Sequence, residues 1–218
     1  MKKVIGISGI SRSGKNLFAK IAGKLLIEKG SLKVKEFSLA YELKKDLYDI
    51  VMNRTGISTF TEDTKLKNII RPLLVGYGDL MRDTTEGKYF TSIIQPQIES
   101  SDANICFITD IRYDHYPEDE CYCLKEKMSG KLIHIRKFVY KNIYNKDIYF
   151  GDDCKDQYKS YFPAPNEKEE LNDPKVREKA DYKLEWEDLS GIRASKLVEN
   201  STYMIGKVTE ALKAINVI

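Results

Sequence analysis

The chain begins with Lys3-Val4-Ile5-Gly6-Ile7-Ser8, a short β-type run. A glycine-punctuated turn follows, and then Leu17 to Lys29, where Leu17, Phe18, Ile21, Leu25 and Leu26 recur at helical spacing as one apolar stripe. Val34 to Leu39 alternates apolar and polar positions and reads as a second strand. Thr61 to Met81 has a helical pattern, with Glu62 and Asp63 near its start, where negative charge suits the helix dipole. Pro72 is expected to break or kink this helix, and so to divide it in two. Tyr89 to Ile98 predicts a further helix. Asn104 to Thr109, Lys131 to Ile135 and Tyr182 to Trp186 read as the third, fourth and fifth strands, and Gly191 to Ile215 as one or two helices. Strands spaced by helices predict an α/β fold with a mostly parallel sheet covered on both faces. No internal repeat and no Pro- or Gly-rich linker divides the chain, so one domain over residues 1–218 is expected.

One region departs from this alternation. From Phe138 to about Pro174 the chain is rich in Tyr, Lys, Asp and Asn, carries Pro163 and Pro165, and has little periodicity. A segment of this length inside a compact domain reads as a lid or as an ordered surface excursion. Lys137, Lys141 and Lys146 would give a lid positive charge, although each also suits a solvated face.

Composition narrows the classes. A hydrophobic fraction of 42% supports a packed core rather than disorder. The net charge of +3 is too mild to argue for nucleic-acid binding and fits an enzyme for small anions equally well. Gly6, Ser8 and Gly9 interrupt any signal-peptide core, and no apolar run is long enough to cross a bilayer. A cytoplasmic protein with no membrane partner is therefore expected. The four cysteines, Cys106, Cys121, Cys123 and Cys154, lack metal-site spacing and read as reduced thiols.

The most informative motif lies between the first strand and the first helix. Gly9-Ile10-Ser11-Arg12-Ser13-Gly14-Lys15-Asn16 has the G-x-x-x-x-G-K pattern of a phosphate-binding loop. A strand, a glycine-hinged loop and a helix N-terminus aim several backbone N–H groups and the positive end of the helix dipole at one spot. Gly9, Ser11, Arg12, Ser13, Gly14, Lys15, Asn16 and Leu17 are the candidate contacts to the phosphates of ATP, with Lys15 a point charge on the terminal ones. Arg12 would lie over the donor base or point to water. Asn16 stands where Ser or Thr normally offers a hydroxyl to Mg2+; an amide oxygen can ligate the ion or hold one of its waters.

A second candidate cluster follows the third strand. Asp110 ends that strand, where ligands of parallel sheets gather and where an acidic residue commonly orients Mg2+. Arg112, two residues on, could position phosphate. With only His115 and His134 in the chain, a zinc site is not expected.

From here the sequence resembles a family. Asp110-Ile111-Arg112-Tyr113, with Glu118 and Glu120 after it, is similar to the D-x-R-[FY] segment of bacteriophage-type deoxynucleoside monophosphate kinases. Phe37-Ser38-Leu39-Ala40-Tyr41-Glu42-Leu43-Lys44 resembles the segment after that family's second strand. Arg71-Pro72-Leu73-Leu74-Val75-Gly76-Tyr77-Gly78, followed by Arg82, resembles its R-x-L-L-x-x-x-G helix. Gly130 to Arg136 is similar to its late strand, and Ala180-Asp181-Tyr182 also fits. The resemblance covers most of the chain outside the Phe138–Pro174 region. It implies a three-layer P-loop NTPase fold with helical insertions: a monophosphate-binding region over about 40–95 and a lid over about 138–175. It implies transfer of the γ-phosphoryl group of ATP to a (deoxy)nucleoside monophosphate, with Mg2+, in the host cytoplasm if the source is a phage.

On that basis Lys15, Asp110, Arg112 and Arg136 are the expected catalytic groups, and Asn16 and Asp110 the expected Mg2+ contacts, directly or through water. Lys44, Arg71 and Arg82, with Asp110 beside them, are assigned to the acceptor monophosphate, since bidentate guanidinium suits that geometry. The expected partners are small nucleotides rather than a polynucleotide, and a homodimer stays open. Tyr41, Tyr77 and Tyr113 could stack on a base, although ordinary partial burial explains each as well. Two other readings stay open. One is a P-loop kinase for another small alcohol or a polynucleotide 5′-hydroxyl, with Asp110 or Asp114 as base. The other is a non-catalytic nucleotide-binding regulator; its GTPase form lacks an N-K-x-D motif, because Asn145-Lys146-Asp147 has no intervening residue.

Overall fold

A mixed six-stranded sheet organises the chain in a computed structural model that describes residues 2–30, 32–142, 157–189 and 201–218. Its strands are β1 (Lys3–Ser8), β2 (Val34–Phe37), β3 (Ile105–Ile111), β4 (Lys131–Asn142), β5 (Gln157–Tyr161) and β6 (Tyr182–Glu187). The neighbour order runs β2-β3-β1-β4, and β4 also pairs with β5 and β6. Only β4–β5 is antiparallel. The helices are α1 (Lys15–Gly30), α2 (Leu39–Thr55), α3 (Thr64–Thr85), α4 (Lys88–Ser100), the short α5 (Glu120–Tyr122), α6 (Glu167–Glu178) and α7 (Thr202–Ala214). A π-helical turn, Cys123–Lys127, continues α5.

Strand alternation sends side chains to two separate cores. Ile5, Ile7, Ile105, Phe107, Ile133 and Ile135 pack with Phe18 and Leu26 of α1 and with Val208 and Leu212 of α7. Val4, Cys106, Ile108 and Leu132 face the other way, towards Leu39 of α2, Phe90 and Ile94 of α4, and Val176 of α6. With both faces covered, β3 reads as a near-continuous apolar run, and all seven of its residues are buried. The result is an α/β arrangement with helices on both faces, compatible with three layers. Among the described residues no helix is long and apolar enough to cross a membrane.

Parallel register brings the strand ends together. Ser8 sits opposite Ile111 on one side and His134 on the other. The segments that leave β1 and β3, Gly9 onwards and Arg112 onwards, therefore meet beside Arg136 of β4 at the carboxyl ends of those strands. Beyond the end of β1, β5 takes over. Lys137 O accepts from Phe162 N at 3.2 Å, while Phe138 O accepts from Asp188 N at 2.8 Å. Successive strand carbonyls point to opposite edges, so β5 lies on the β1 side of β4, past the β1 terminus.

Several expectations need correction. Pro72 does not divide the helix: α3 runs unbroken from Thr64 to Thr85. Asp63 caps it, accepting from Lys65 N and Leu66 N at 2.8 and 2.9 Å, and the turn around Pro72 faces solvent. A carbonyl that loses its partner to proline is there open to solvent. Helix α2 has no counterpart among the predicted elements. It starts at Ser38, whose side chain accepts from Tyr41 N, and stops at Gly56 in the left-handed region (φ 69°). The region from Phe138 is not without structure either. It holds the outer half of β4, all of β5 and most of α6. Lys146 and Cys154, and Gly191 as the start of the last helical region, lie outside the described residues; α7 begins at Thr202. Cys106, Cys121 and Cys123 are buried free thiols.

Candidate functional site

The loop from Gly9 to Gly14 is shaped by what lies behind it. Gly9 (φ 127°) and Gly14 (φ 98°) both occupy backbone conformations that side chains resist. A Cβ on Gly9 would collide with the Ile135 carbonyl of β4, and one on Gly14 with the ring of Trp186. Trp186 is 1% exposed and donates its indole N–H to Ser13 O at 2.9 Å. The loop is thus pressed against β4 and bolted to β6, and its outward side holds the N-terminus of α1. Arg12 also has positive φ (66°) and is exposed, and Leu17 packs against the core.

Two polar groups in this loop are oddly placed for a simple turn. The Ser13 hydroxyl is fully buried and finds no hydrogen-bond partner among the described residues. Lys15 is only 7% exposed, and its ammonium folds back on Gly9 O at 2.7 Å and Ile10 O at 2.8 Å. Burial, with the Arg112 guanidinium nearby, lowers its pKa from the ordinary 10.5 to about 8, although Glu169, Asp110 and Asp173 pull the other way. Among the described residues its hydrogen bonds go to two carbonyls, and the three carboxylates do not outweigh burial and Arg112, so the cation is under-neutralised. An anion arriving at the loop would correct that.

The other basic side chains separate into free and engaged. Arg112 is half-buried at the mouth of the site, with Nη1 3.2 Å from Glu169 Oε1. Arg71 is exposed and lines a cavity of about 280 Å3 between α2 and α3, together with Leu39, Leu43, Leu74, Arg112 and Tyr113. Lys44 lines both this cavity and an adjoining cleft of about 550 Å3, where its ammonium lies 5.9 Å from the Phe60 ring. Asn16 and Lys15 also line the cleft. The two spaces meet at Asp110 and Arg112, which line both.

Arg82, expected at the acceptor phosphate, is already paired within the protein. It is 7% exposed, and its fork is filled by Asp119 (2.6 and 2.7 Å) and Glu120 (2.7 Å). Its guanidinium lies 3.8 Å above the Tyr113 ring. Glu120 Oε2 accepts in turn from Arg112 N at 2.7 Å and Tyr113 N at 3.0 Å. Burial pushes the Glu120 carboxyl up to about 7, against the pull of Arg82. Arg82 therefore organises the segment that carries Arg112; it also lines the 280 Å3 cavity, with three of its five donors already engaged.

Asp110 is likewise engaged. Its carboxylate accepts from Leu39 N (2.9 Å), Ala40 N (2.7 Å) and Ser38 Oγ (2.8 Å), and so pins the first turn of α2 to the end of β3. Of roughly four lone-pair sites on a carboxylate, three are taken. Among the described residues no group of three or more His, Cys, Asp and Glu could hold a metal ion. Arg136 stacks 3.7 Å over the Tyr161 ring of β5 and faces a different cavity, of about 410 Å3, with Ile10, Asp173 and Arg177. Tyr41 lies 5.1 Å from the Phe60 ring and is exposed where it lines the 550 Å3 cleft, and Tyr77 donates to Asp46.

The residue the sequence reading missed is Glu169, in the first turn of α6. Its Oε2 accepts from Ser11 N at 2.6 Å, inside the phosphate-like loop. In the sequence, Asn166 followed by Glu167, Glu169 and Glu170 reads as an ordinary capped helix start. Nothing local places it beside a loop 158 positions earlier. No protein-family profile and no curated protein matches this sequence.

Proposed function

We propose that this protein is an ATP-dependent nucleoside monophosphate kinase. The observation that carries the reading is the loop itself. A carboxylate already sits on Ser11 N at 2.6 Å, beside a buried Ser13 hydroxyl with no partner among the described residues and an under-neutralised Lys15. That group set suits a triphosphate at a helix N-terminus. The adjoining cavity supplies the acceptor side: apolar walls from Leu39, Leu43 and Leu74 for a nucleoside, with Arg71 and Arg112 for its phosphate.

In this reading an oxygen of the acceptor phosphate attacks the γ-phosphorus, the bond to the β,γ-bridging oxygen breaks, and ADP leaves. The acceptor is already an anion, so no base is required. Lys15 and Arg112 offset the charge on the transferred group, and Arg71 holds the acceptor in line. Mg2+ fits as an ion held mainly by water and phosphate: Asn16 and Asp110 line the same cleft, where Asn16 would offer it an amide oxygen and Asp110 its remaining lone-pair site or a bridging water. When bound, it would supply positive charge that offsets the phosphates.

A monophosphate acceptor is preferred over a hydroxyl for a specific reason. A hydroxyl needs a base, and the two candidates are committed. Asp110 accepts three hydrogen bonds, and Asp114 is paired with Lys179 at 2.8 Å. The test is a transfer assay with γ-labelled ATP, Mg2+ and a panel of ribo- and deoxyribonucleoside monophosphates. Labelled diphosphate from at least one of them is expected. Label reaching only hydroxyl acceptors, or nucleotide binding without transfer to any of them, would overturn the reading.

A further inference from the structure

We propose that Glu169 is a tethered occupant of the anion cradle, which nucleotide must displace. The inference rests on the kinase reading of the loop. One carboxylate spans both halves of the site. Oε2 accepts from Ser11 N on the donor side at 2.6 Å, and Oε1 lies 3.2 Å from Arg112 Nη1, which also lines the acceptor cavity. The Glu169 side chain is only 10% exposed, so this is an enclosed contact rather than a surface pair. A carboxylate on a loop N–H and a guanidinium imitates a phosphate oxygen in charge and in hydrogen-bond geometry.

The rest of α6 is fixed, which confines the movement to its first turn. Val176 is 1% exposed in the core, Asp173 meets the buried His134 ring at 2.9 Å, and Lys179 just past the helix pairs with Asp114. The first turn has lighter ties: Asn166 accepts from Glu169 N at 2.9 Å, and Lys168 pairs with Asp79. Phosphate arriving at Ser11 N breaks one half of the bridge, and acceptor phosphate arriving at Arg112 breaks the other. Either substrate therefore loosens the carboxylate that blocks its partner. Donor and acceptor are coupled favourably and reciprocally through a single side chain.

The experiment is calorimetric titration of the full chain with Mg2+ and a non-hydrolysable imido analogue of ATP. It compares wild type, Glu169→Gln and Glu170→Gln. The glutamine keeps the helix-capping geometry at position 169 and removes the charge. Glu169→Gln is expected to bind about tenfold more tightly, the worth of one charge-assisted hydrogen bond. Glu170→Gln, which removes the same charge one residue away, is expected to match wild type. Equal or weaker binding by Glu169→Gln overturns the proposal, and weaker binding would mean that Glu169 helps to hold the ligand. Equal tightening by Glu170→Gln also overturns it, by reducing the effect to net charge. Absence of heat in all three proteins overturns the nucleotide reading and the proposal together, and is distinct from the other outcomes. In wild type, faster amide exchange at Glu170 and Leu171 on nucleotide binding is the supporting structural readout; unchanged exchange counts against displacement.

Discussion

A triphosphate should pull a proton onto this protein. Lys15 has its pKa lowered to about 8, because its burial, at 7% exposed, and the repelling Arg112 outweigh the pull of Glu169, Asp110 and Asp173. Bound phosphate would restore its charge. At pH 8 about half of the free molecules lack the proton, so binding should take up roughly 0.5 proton; at pH 7 the figure is roughly 0.1, and at pH 9 roughly 0.9. Triphosphate is fully ionised over most of this range and contributes little. Calorimetry in buffers of different ionisation heat reads the uptake directly. Lys15→Arg, which cannot lose its proton, should show none. The same shift bears on stability. The folded pKa lies below the unfolded value, so folding disfavours the protonated form at neutral pH, and the penalty fades as pH rises from about 8 to 10.5. That penalty is about 3 kcal/mol at most. Lys15→Met should therefore melt no lower than wild type at pH 7 while losing triphosphate affinity. Uptake near zero at pH 8, or the same uptake in Lys15→Arg, would refute the reasoning, because a solvated lysine at that pH has almost no proton to gain.

Arg82→Ala should leave Asp119 and Glu120 buried without their cation, at a cost of about 3–5 kcal/mol and a fall in Tm of about 10 °C; an unchanged Tm with a raised acceptor KM would restore its phosphate role. Arg71→Ala should raise the acceptor KM about tenfold or more with little change in the KM for ATP, and initial-rate kinetics decide between this and the reverse pattern. Trp186→Phe removes the donor to Ser13 O and should weaken ATP binding about tenfold in titration. The native indole, the chain's single tryptophan, should change its emission saturably with ATP; calorimetric binding with silent fluorescence would contradict that coupling.

What could be read from the sequence was local. The loop between β1 and α1 was legible because its glycines, its lysine and its flanking periodicities lie within one continuous stretch. The five predicted strands were legible because buried parallel strands are nearly all apolar, as β3 is. The remainder depends on contacts between distant segments. Strand β5 is a polar Tyr/Lys/Ser run, formed because β4 extends past β1 and offers it an edge. Helix α6 buries only Val176 and carries Pro174 inside it, so it shows no apolar stripe. Arg82 and Asp110 have the residue types of a phosphate site, but Asp119, Glu120 and the first turn of α2 claim them. No spacing rule distinguishes a guanidinium that waits for a ligand from one already paired.

The most direct measurement is backbone amide NMR of the full chain titrated with Mg2+ and the imido analogue of ATP. Saturable shifts centred on the amides of Gly9 to Asn16, with a second group at Glu169 and Arg112, are the expected result. Saturable shifts that leave the Ser11, Ser13 and Lys15 amides in place, or no shifts at millimolar ligand, would contradict a triphosphate site at this loop.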